Sequence, residues 1–339
     1  MLFYSTNFSC IEIDGPDSRD FLQKQLSNDI SALDLSDQSK KEAQLVQTSC
    51  YCDAKGRLIS LLKICRKEDN HYFIIVPKSL SSTVINRLKM FKLRASLNIT
   101  DSSDQVTVSG YTNERPDSTQ FFDDLTTEYF KFFENTKGKT QGKGWIFTRP
   151  KDKNLIFSHL DKKAIKNNSL SAIEWDSSQI MEGIPWINDK TTGMFLPQNL
   201  NLDIANGISF KKGCYPGQEV IARMHYLGKP KKRTFLLQSH VLQKEVLFDL
   251  DIEQAQVSTN LNSETLILGK IVNYSYLTSD NENTKIIALC EMNLKNLSKA
   301  YMEKSDFYLS INDIEIGFDM MSLPYQDELE SELDLNSEK

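Results

Sequence analysis

The residues best suited to chemistry lie together in one short passage, Gly207–Arg233, which reads GISFKKGCYPGQEVIARMHYLGKPKKR. Cys214 follows Lys212 by two residues, and Pro216 and Glu219 favour a helix that begins beside the cysteine. A helix N-terminus and a nearby ammonium both favour a thiolate and can lower the pKa of a cysteine from about 8.5 towards 7. The passage therefore predicts a reactive or ligating thiol at Cys214, helped by Lys212.

Two glycines, Gly213 and Gly217, flank this cysteine and predict a tight turn. In such a turn several backbone N–H groups can point outward together, which is typical of anion sites. The alternative for Cys214 is structural, because a free cysteine is often a small buried core residue. A Cys-His catalytic pair is disfavoured, because a helix with a rise of 1.5 Å per residue would carry His225 about 15 Å away.

The other cysteines and the histidines do not predict a metal site. Cys50 and Cys52 form a C-x-C pair on a predicted strand, where both side chains point to one face. Two thiolates do not complete a tetrahedral site, and His71, His159 and His240 stand in no ligand spacing. A structural pair is therefore favoured over metal or redox use at Cys50 and Cys52.

The elements that must position these residues mix strands and helices. Phe8 begins a strand of alternating apolar residues, and Gly56 marks a hairpin turn that must tolerate positive φ. Apolar spacing predicts helices over KSLSSTVINRLKMFKLRA and over SLSAIEWDSSQIMEGIP, which contains Trp175. After Arg233, short strand-like segments predominate, as in a small β-barrel. We therefore expect an α+β fold.

Composition limits the class of protein. The chain has 339 residues, of which 40% are hydrophobic and 25% charged, enough for two or three ordinary globular domains. It has no run of about 18 uncharged apolar residues, so no transmembrane helix is predicted. The start shows neither a signal-peptide nor a transit-peptide pattern. We expect a cytoplasmic protein with reduced cysteines and no membrane contact.

Charge is unevenly distributed along the chain. The net charge is −6, but residues 323–339 alone hold six acids against one lysine, which predicts a disordered tail. One or two exposed helical turns are the alternative there. By contrast, Lys211–Arg233 holds seven cations against Glu219 alone. This basic segment is a candidate contact for an anion or a linker exposed to solvent.

The sequence KGCYPGQE resembles, without a mismatch, the K-G-C-Y-x-G-Q-E signature of the YgfZ family of folate-binding proteins. The matching residues are Lys212, Gly213, Cys214, Tyr215, Gly217, Gln218 and Glu219. The segments IDGPDSRDFLQKQLSNDI, CDAKGRLIS, EGIPWINDKTTGMFLPQNLNL and ARMHYLGKPKKR agree with the family in the same order. The family is related to the glycine-cleavage T-protein, an aminomethyltransferase.

This resemblance implies a T-protein-like ring of two interleaved α+β portions and a small C-terminal β-barrel around a folate channel. Residues 1–228 would form the folate-binding region, 229–322 the barrel and 323–339 the acidic tail. Family members bind tetrahydrofolate and support the assembly or repair of iron–sulfur clusters in enzymes that include tRNA-thiolating ones. Cys214 would be the functional thiol at the edge of the channel.

Two family tryptophans contact folate. Trp175 matches the second by its spacing to Gly183 and Pro185, and its indole has a face that can stack on a pterin ring. A core anchor within its helix is the alternative for Trp175. The first falls on Phe8, which keeps an aromatic face but lacks the indole N–H. The acidic residue that orients folate in the aminomethyltransferases has no evident counterpart.

The leading prediction is an accessory protein rather than an enzyme, which binds folate and supports iron–sulfur client enzymes, and thereby tRNA modification, through Cys214. A tetrahydrofolate-dependent one-carbon transferase and a direct tRNA-binding protein are the alternatives. The basic segment Lys211–Arg233 fits a solvated linker, a contact for the glutamate tail of folate, or a weak contact with RNA phosphates.

Overall fold

The structure is a computed structural model of the chain. It describes residues 7–33, 45–112, 129–134, 143–148, 168–243, 252–253, 255–262, 264–278, 283–311 and 314–333. The chain divides into two compact units, each built from two separate segments. Unit 1 comprises Met1–Trp175 and Asn206–Gln218, and unit 2 comprises Asp176–Ala205 and Glu219–Lys339.

Unit 1 contains an eight-stranded sheet. Its strands are β1 Phe8–Asp14, β2 Leu45–Cys52, β3 Leu58–Glu68, β4 His71–Pro77, β5 Asn98–Asp101, β6 Thr107–Thr112, β7 Tyr129–Glu134 and β8 Lys143–Thr148. They lie in the order β5-β1-β4-β3-β2-β7-β8-β6. Neighbouring strands run antiparallel except β2 and β7, which are parallel.

The middle of this sheet forms the core of unit 1. Strand β3 is buried continuously over its first eight residues, and β4 over Tyr72–Pro77. Continuous burial, rather than burial of every second residue, indicates that both faces of the sheet are covered. Helix α1, Ser18–Gln25, and helix α2, Ser81–Lys92, lie in this unit. Helix α2 packs on β1 and β5 and buries Val84 and Leu88.

Unit 2 contains a β-barrel. Its strands are β9 Lys232–Ser239, β10 Leu242–Gln243, β11 Gln256–Leu261, β12 Glu264–Thr278, β13 Asn283–Asn293, β14 Phe307–Ile311 and β15 Ile314–Met321. Strand β9 pairs with both β13 and β15, so six antiparallel strands close in the order β9-β13-β12-β11-β14-β15. The short β10 adds to β13.

Four further α-helices lie in the described chain. Helix α3, Asn168–Met181, begins in unit 1 and ends in unit 2, and α4, Gln218–Leu227, follows the signature segment. Helix α5, Leu294–Met302, starts at an N-cap where the side chain of Asn293 accepts from the backbone N–H of Asn296. The last helix, α6, covers Gln326–Leu333.

The expected fold class is confirmed: the chain is α+β and carries a small closed β-barrel in its C-terminal region. Each compact unit is built from two separate segments of the chain, so the unit boundaries fall after Trp175, Ala205 and Gln218 rather than after residue 228. The ranges 1–228 and 229–322 stay predictions. Among the described residues, no helix is long and apolar enough to cross a membrane.

The disorder predicted for the acidic tail is wrong for residues 323–333. Leu323, Tyr325 and Leu329 are buried, and the Tyr325 hydroxyl donates to the carbonyl of Gly183 at 3.2 Å. Gly183 has φ +72, and a Cβ there would lie 2.9 Å from the Tyr325 ring. Three buried side chains therefore hold this acidic segment in place. Charge composition predicts disorder here because it does not show which few residues are buried. Residues 334–339 lie outside the described residues.

Candidate functional site

Cys214 lies in an irregular segment that ends where α4 begins, at Gln218. It is exposed, whereas Cys10, Cys50, Cys52, Cys65 and Cys290 are all buried. Burial raises the pKa of the Cys10, Cys52 and Cys290 thiols above its ordinary value, so these three stay protonated at neutral pH. Cys214 is therefore the one cysteine of six that a reagent or a partner can reach.

The Lys212 side chain folds back onto the end of α1. Its ammonium donates to the carbonyl oxygens of Gln23 and Leu26, both at 2.5 Å, and of Asn28 at 3.0 Å. It also lies 5.3 Å from the centre of the Tyr215 ring. The last carbonyls of a helix lack intrahelical donors, and a lysine there satisfies them and the helix dipole together.

This arrangement changes the role of Lys212. Sequence reasoning places it as a charge that activates Cys214, but the structure directs all three of its donors to backbone carbonyls. Burial lowers the pKa of Lys212 to about 8, while the Asp29 carboxylate acts in the opposite direction. The ammonium form still predominates at neutral pH. Lys212 is therefore a positioning residue that ties the signature segment to α1.

Gly217 fixes the other end of the segment. It has φ +80, and a Cβ atom there would lie 2.5 Å from the Cα and 2.7 Å from the amide nitrogen of Gly56. Only a glycine allows two backbones to approach this closely. Gly56 itself has φ +75, as the predicted hairpin turn requires. The segments KGCYPGQE and CDAKGR, far apart in sequence, thus meet in unit 1.

The hairpin turn that receives Gly217 is held by its own aspartate. The Asp53 carboxylate accepts from the backbone N–H groups of Lys55 at 2.8 Å and Arg57 at 2.9 Å. The Gly56 N–H donates to the Asp53 carbonyl at 3.0 Å. An aspartate that binds backbone two residues on is a common way to fix a turn. The hairpin is therefore a rigid support for the Cys214 segment.

Tyr215 anchors the middle of the segment inside unit 1. It is 7% exposed, and burial, together with the neighbouring Cys52 and Cys50, raises the pKa of its phenol well above the ordinary value. The Cys50 thiol donates to the carbonyl of Gly207 at 3.7 Å. These contacts fit the structural interpretation of the C-x-C pair. Within the signature, Tyr215 is therefore buried beside the two thiols, while the preceding Cys214 is exposed.

The remaining signature residues are less constrained. Gly213 is exposed and a Cβ there would meet nothing within 4 Å, so no packing requires a glycine at that position. The Gln218 N–H donates to the Tyr215 carbonyl at 3.1 Å, which closes the turn before α4. Glu219 is exposed in the first turn of α4, where an acid favours the helix dipole.

The two residues predicted to contact folate belong to one aromatic cluster of unit 1. Phe8 packs edge-on against Trp145 with ring centres 4.9 Å apart, and Trp145 packs edge-on against Trp175 at 5.5 Å. Phe8 is half-buried, whereas Trp145 and Trp175 are 0% and 1% exposed. Sequence reasoning missed Trp145, although its place in the strand GWIF was a signal for an aromatic core residue.

The three rings of the cluster differ in how accessible they are. Phe8 keeps an accessible part of its ring, and its stacking on folate stays a prediction. Trp175 has almost no accessible surface. In this structure it is a core residue, which is the alternative interpretation given above. Its contact with folate stays a prediction that requires the cluster to rearrange.

An acidic residue that sequence reasoning did not identify follows Trp175 on α3. Asp176 is half-buried, and burial raises the pKa of its carboxyl group to about 6. A carboxyl group with a pKa near neutrality can both accept and donate a proton. No sequence signal marks it, because the shift comes from tertiary burial.

The sequence of this chain is similar to those of several curated proteins. Three relatives named tRNA-modifying protein YgfZ, from Colwellia psychrerythraea, Aliivibrio fischeri and Klebsiella pneumoniae, are 29%, 28% and 30% identical to this chain. Their alignments cover 70%, 68% and 66% of this chain and 71%, 69% and 67% of the relatives. The chain belongs to the YgfZ family. No family model matches it.

The fold of this YgfZ-family chain is shared with a solved enzyme structure. The glycine cleavage system aminomethyltransferase T from Bartonella henselae superposes with a TM-score of 0.64, covering 96% of this chain and 85% of that one. The two sequences are 12% identical, so the likeness establishes the fold alone. The expected T-protein-like fold is thereby confirmed.

The basic segment Lys211–Arg233 of the YgfZ-family chain is not one continuous basic surface. Arg233 is 1% exposed and pairs with Asp203 at 2.6 Å, and Lys232 pairs with the buried Glu291 at 3.0 Å. Lys212 is committed to α1, as described above. The cations of this segment that are exposed are Lys211, Arg223, Lys229 and Lys231. An RNA contact along the whole segment therefore loses three of its seven expected cations.

Metal ligation finds no support in the described residues. Within these ranges no group of three or more His, Cys, Asp and Glu side chains is placed to hold a metal ion. Cys214 is therefore not part of such a group within the described ranges.

Proposed function

We propose that this chain is a cytoplasmic, folate-binding accessory protein that supports the assembly or repair of iron–sulfur clusters in enzymes that modify tRNA. Cys214 is its functional thiol. The observation that carries the proposal is the setting of this cysteine: it is exposed, and its segment is fixed by Lys212 on one side and Gly217 on the other. The relatives' name, tRNA-modifying protein YgfZ, supports the tRNA link.

In this proposal the Cys214 thiolate contacts an iron–sulfur cluster that is bound by a client enzyme. Clusters of iron and sulfur are bound by several cysteine thiolates, usually four. One exposed thiol cannot complete such a set, so the client enzyme supplies the other ligands. A rigid segment suits this role, because a preorganised thiol loses little conformational freedom when it meets its partner.

Folate binding rests on the aromatic cluster of unit 1. A bound tetrahydrofolate would supply a carrier for a one-carbon unit. Phe8 offers a half-buried aromatic face for stacking, and Trp145 holds that ring from the side at 4.9 Å. Trp175 supports Trp145 from beneath the surface. In this proposal Phe8 contacts the ligand and the two tryptophans set its position.

One observation favours a second candidate function, a tetrahydrofolate-dependent one-carbon transferase. Such an enzyme needs a positioned acid or base, and Asp176, with its pKa raised to about 6 by burial, has the required proton affinity. Turnover of an aminomethyl or methyl donor with tetrahydrofolate by the purified protein, lost in Asp176→Asn, would establish this candidate. Folate binding without turnover eliminates it.

The test of the leading proposal measures thiolated tRNA by mass spectrometry in cells that lack their own member of this family. Wild type is expected to restore thiolation and Cys214→Ala to fail, while Lys211→Ala, an exposed neighbour in the same segment, restores it. Full restoration by Cys214→Ala would contradict a functional thiol. Calorimetric titration of tetrahydrofolate into wild type and Phe8→Leu tests the folate site separately, with weaker binding expected in the variant.

A further inference from the structure

An acid-free stretch of the sequence stands out in an acidic protein. The chain holds 46 Asp and Glu residues, yet none lies between His71 and Thr100. The same stretch carries five cations, which are Lys78, Arg87, Lys89, Lys92 and Arg94. Four of them fall within the last two turns of α2 and the residues just after it. Positive charge is therefore concentrated at the C-terminal end of α2.

Apolar side chains are exposed at the same place. Met90 is 60% exposed, Phe91 40% and Leu93 86%. Lys89 and Arg94 are exposed beside them, and Lys92 is half-buried. We call Lys89–Arg94 the α2 patch. Single exposed apolar residues are ordinary on a protein surface, but three among six consecutive residues, interleaved with three cations, indicate a surface that meets a partner.

The backbone of the α2 patch is strained at Leu93. This leucine, directly after the last residue of α2, has φ +47 and ψ −112, a conformation that costs a non-glycine residue about 1 to 3 kcal/mol. At 86% exposed, the leucine recovers almost nothing by burial in the free protein. Contact with a partner would supply the burial that this conformation lacks.

The charges of the α2 patch are available for a partner. Within the described ranges Lys89, Lys92 and Arg94 form no ion pair. The Arg87 guanidinium lies 5.9 Å from the centre of the Phe91 ring and steadies it. Cations in a last helical turn also favour the helix dipole. That effect accounts for Lys89 and Lys92, but it does not account for the exposed Phe91 and Leu93.

We propose that the α2 patch binds RNA: Lys89, Lys92 and Arg94 contact phosphates, and Phe91 stacks on an unpaired base. Cations that follow a backbone beside an aromatic ring are the recurrent arrangement for single-stranded nucleic acid, and each stacked base is worth about 1 to 3 kcal/mol. The inference goes beyond the proposed function, in which the link to tRNA passes through client enzymes. It relocates the expected RNA contact from Lys211–Arg233 to α2.

An anionic membrane surface is the other polyanion to weigh. A helix that lies in a lipid interface needs a long apolar face turned outward. In α2 the apolar face formed by Val84, Ile85 and Leu88 is already buried in unit 1, and only its last turn exposes apolar residues. The short patch and the ring held by Arg87 favour a base over a bilayer.

The experiment compares two charge-matched variants by fluorescence anisotropy with an unmodified tRNA transcript. One combines Lys89→Gln, Lys92→Gln and Arg94→Gln, and the control combines Lys211→Gln, Lys229→Gln and Lys231→Gln. The α2 variant is expected to bind at least tenfold more weakly at low salt. Its slope of log affinity against log salt should fall by about 2, for three phosphate contacts on a single strand. The control should stay within threefold of wild type.

Three outcomes would overturn the inference. They are wild type that does not bind the transcript at low salt, an α2 variant that retains wild-type affinity, and a control variant that loses as much as the α2 variant. Phe91→Ser should weaken RNA binding about fivefold or more and leave the salt slope unchanged. If Phe91→Ser instead abolishes sedimentation with phosphatidylserine vesicles and leaves RNA binding intact, the patch is a membrane contact and the inference is wrong.

The same variants separate this inference from the proposed function. Thermal unfolding should show that the α2 variant is folded, and calorimetry that it binds tetrahydrofolate as wild type does. RNA binding lost with folate binding intact supports the inference independently. A protein that binds RNA through α2 but shows no folate binding retains the inference and loses the folate part of the proposed function.

Discussion

Gly217 and Gly56 touch backbone to backbone: a Cβ on Gly217 would stand 2.5 Å from the Cα of Gly56. Both residues have positive φ, a conformation that side chains disfavour, and a side chain on Gly217 would overlap the hairpin. The segment that presents Cys214 is therefore positioned by the β2–β3 hairpin, whose sequence gives no hint of chemistry by itself.

Substitution of Gly217 should show how much that contact contributes. Gly217→Ala is expected to lower the free energy of unfolding by about 2 kcal/mol or more, because it adds backbone strain and overlaps the hairpin. It should also change the rate at which iodoacetamide alkylates Cys214. Gly213→Ala is the matched control, since a Cβ there meets nothing within 4 Å. Equal effects of the two substitutions would contradict this account of the segment.

Lys212 should act by positioning its segment rather than by placing a charge beside Cys214. Lys212→Met removes the donor from three carbonyls at the end of α1, and each buried acceptor left unsatisfied costs about 1 to 3 kcal/mol. We expect a clear loss in denaturant midpoint together with faster proteolysis near Cys214. Lys212→Arg, which keeps a cation with several donors, should recover part of the stability. A Lys212→Met variant as stable as wild type would exclude the positioning role.

Native cysteine labelling should identify one thiol. Five of the six cysteines are buried, so dithionitrobenzoate is expected to react rapidly with a single thiol per chain in the folded protein and with six in denaturant. Cys214→Ala should abolish the rapid phase and shift the melting temperature little, because an exposed side chain contributes little to packing. A rapid phase that persists in Cys214→Ala would show that a buried cysteine opens readily.

The stability of the protein should depend on Asp176 at mildly acidic pH. Burial raises the pKa of this carboxyl group to about 6 in the folded chain, against an ordinary 3.8. The folded state therefore binds the proton more tightly, and stability contributed by protonated Asp176 is present below pH 4 and is lost as pH rises to 6. Asp176→Asn should remove that slope and gain about 1 to 3 kcal/mol at pH 7. An unchanged slope between pH 4 and 6 would exclude the shift.

Local sequence was sufficient wherever local contacts decide the structure. The helix after Gln218, the hairpin glycine at Gly56 and the run of barrel strands after Arg233 all follow from spacing, turn chemistry and apolar pattern. The residue types of the signature segment also indicate its position in the sequence. What these features share is that each is determined by residues within a few positions of one another.

Sequence patterns do not predict the contacts of residues whose partners are distant in sequence. The sequence places Lys212 near Cys214, but its ammonium donates to carbonyls at the end of α1, which nothing in the local sequence reveals. The charge pattern predicts Arg233 to be a surface cation, but it is buried against Asp203. The role of Trp145 comes from its contacts with Phe8 and Trp175, which are distant in sequence. These contacts depend on the tertiary fold.

The closed barrel also determines when the C-terminal region can fold during synthesis. Strand β9 is synthesised first of its six strands, yet its two neighbours are β13 and β15, and β15 is the last strand of the barrel. At about 5 to 20 residues per second, a ribosome needs several seconds to supply that final partner. Until then a nascent chain carries unpaired strand edges, so the barrel can close only after β15 has been synthesised, when the thiol segment before it has already emerged.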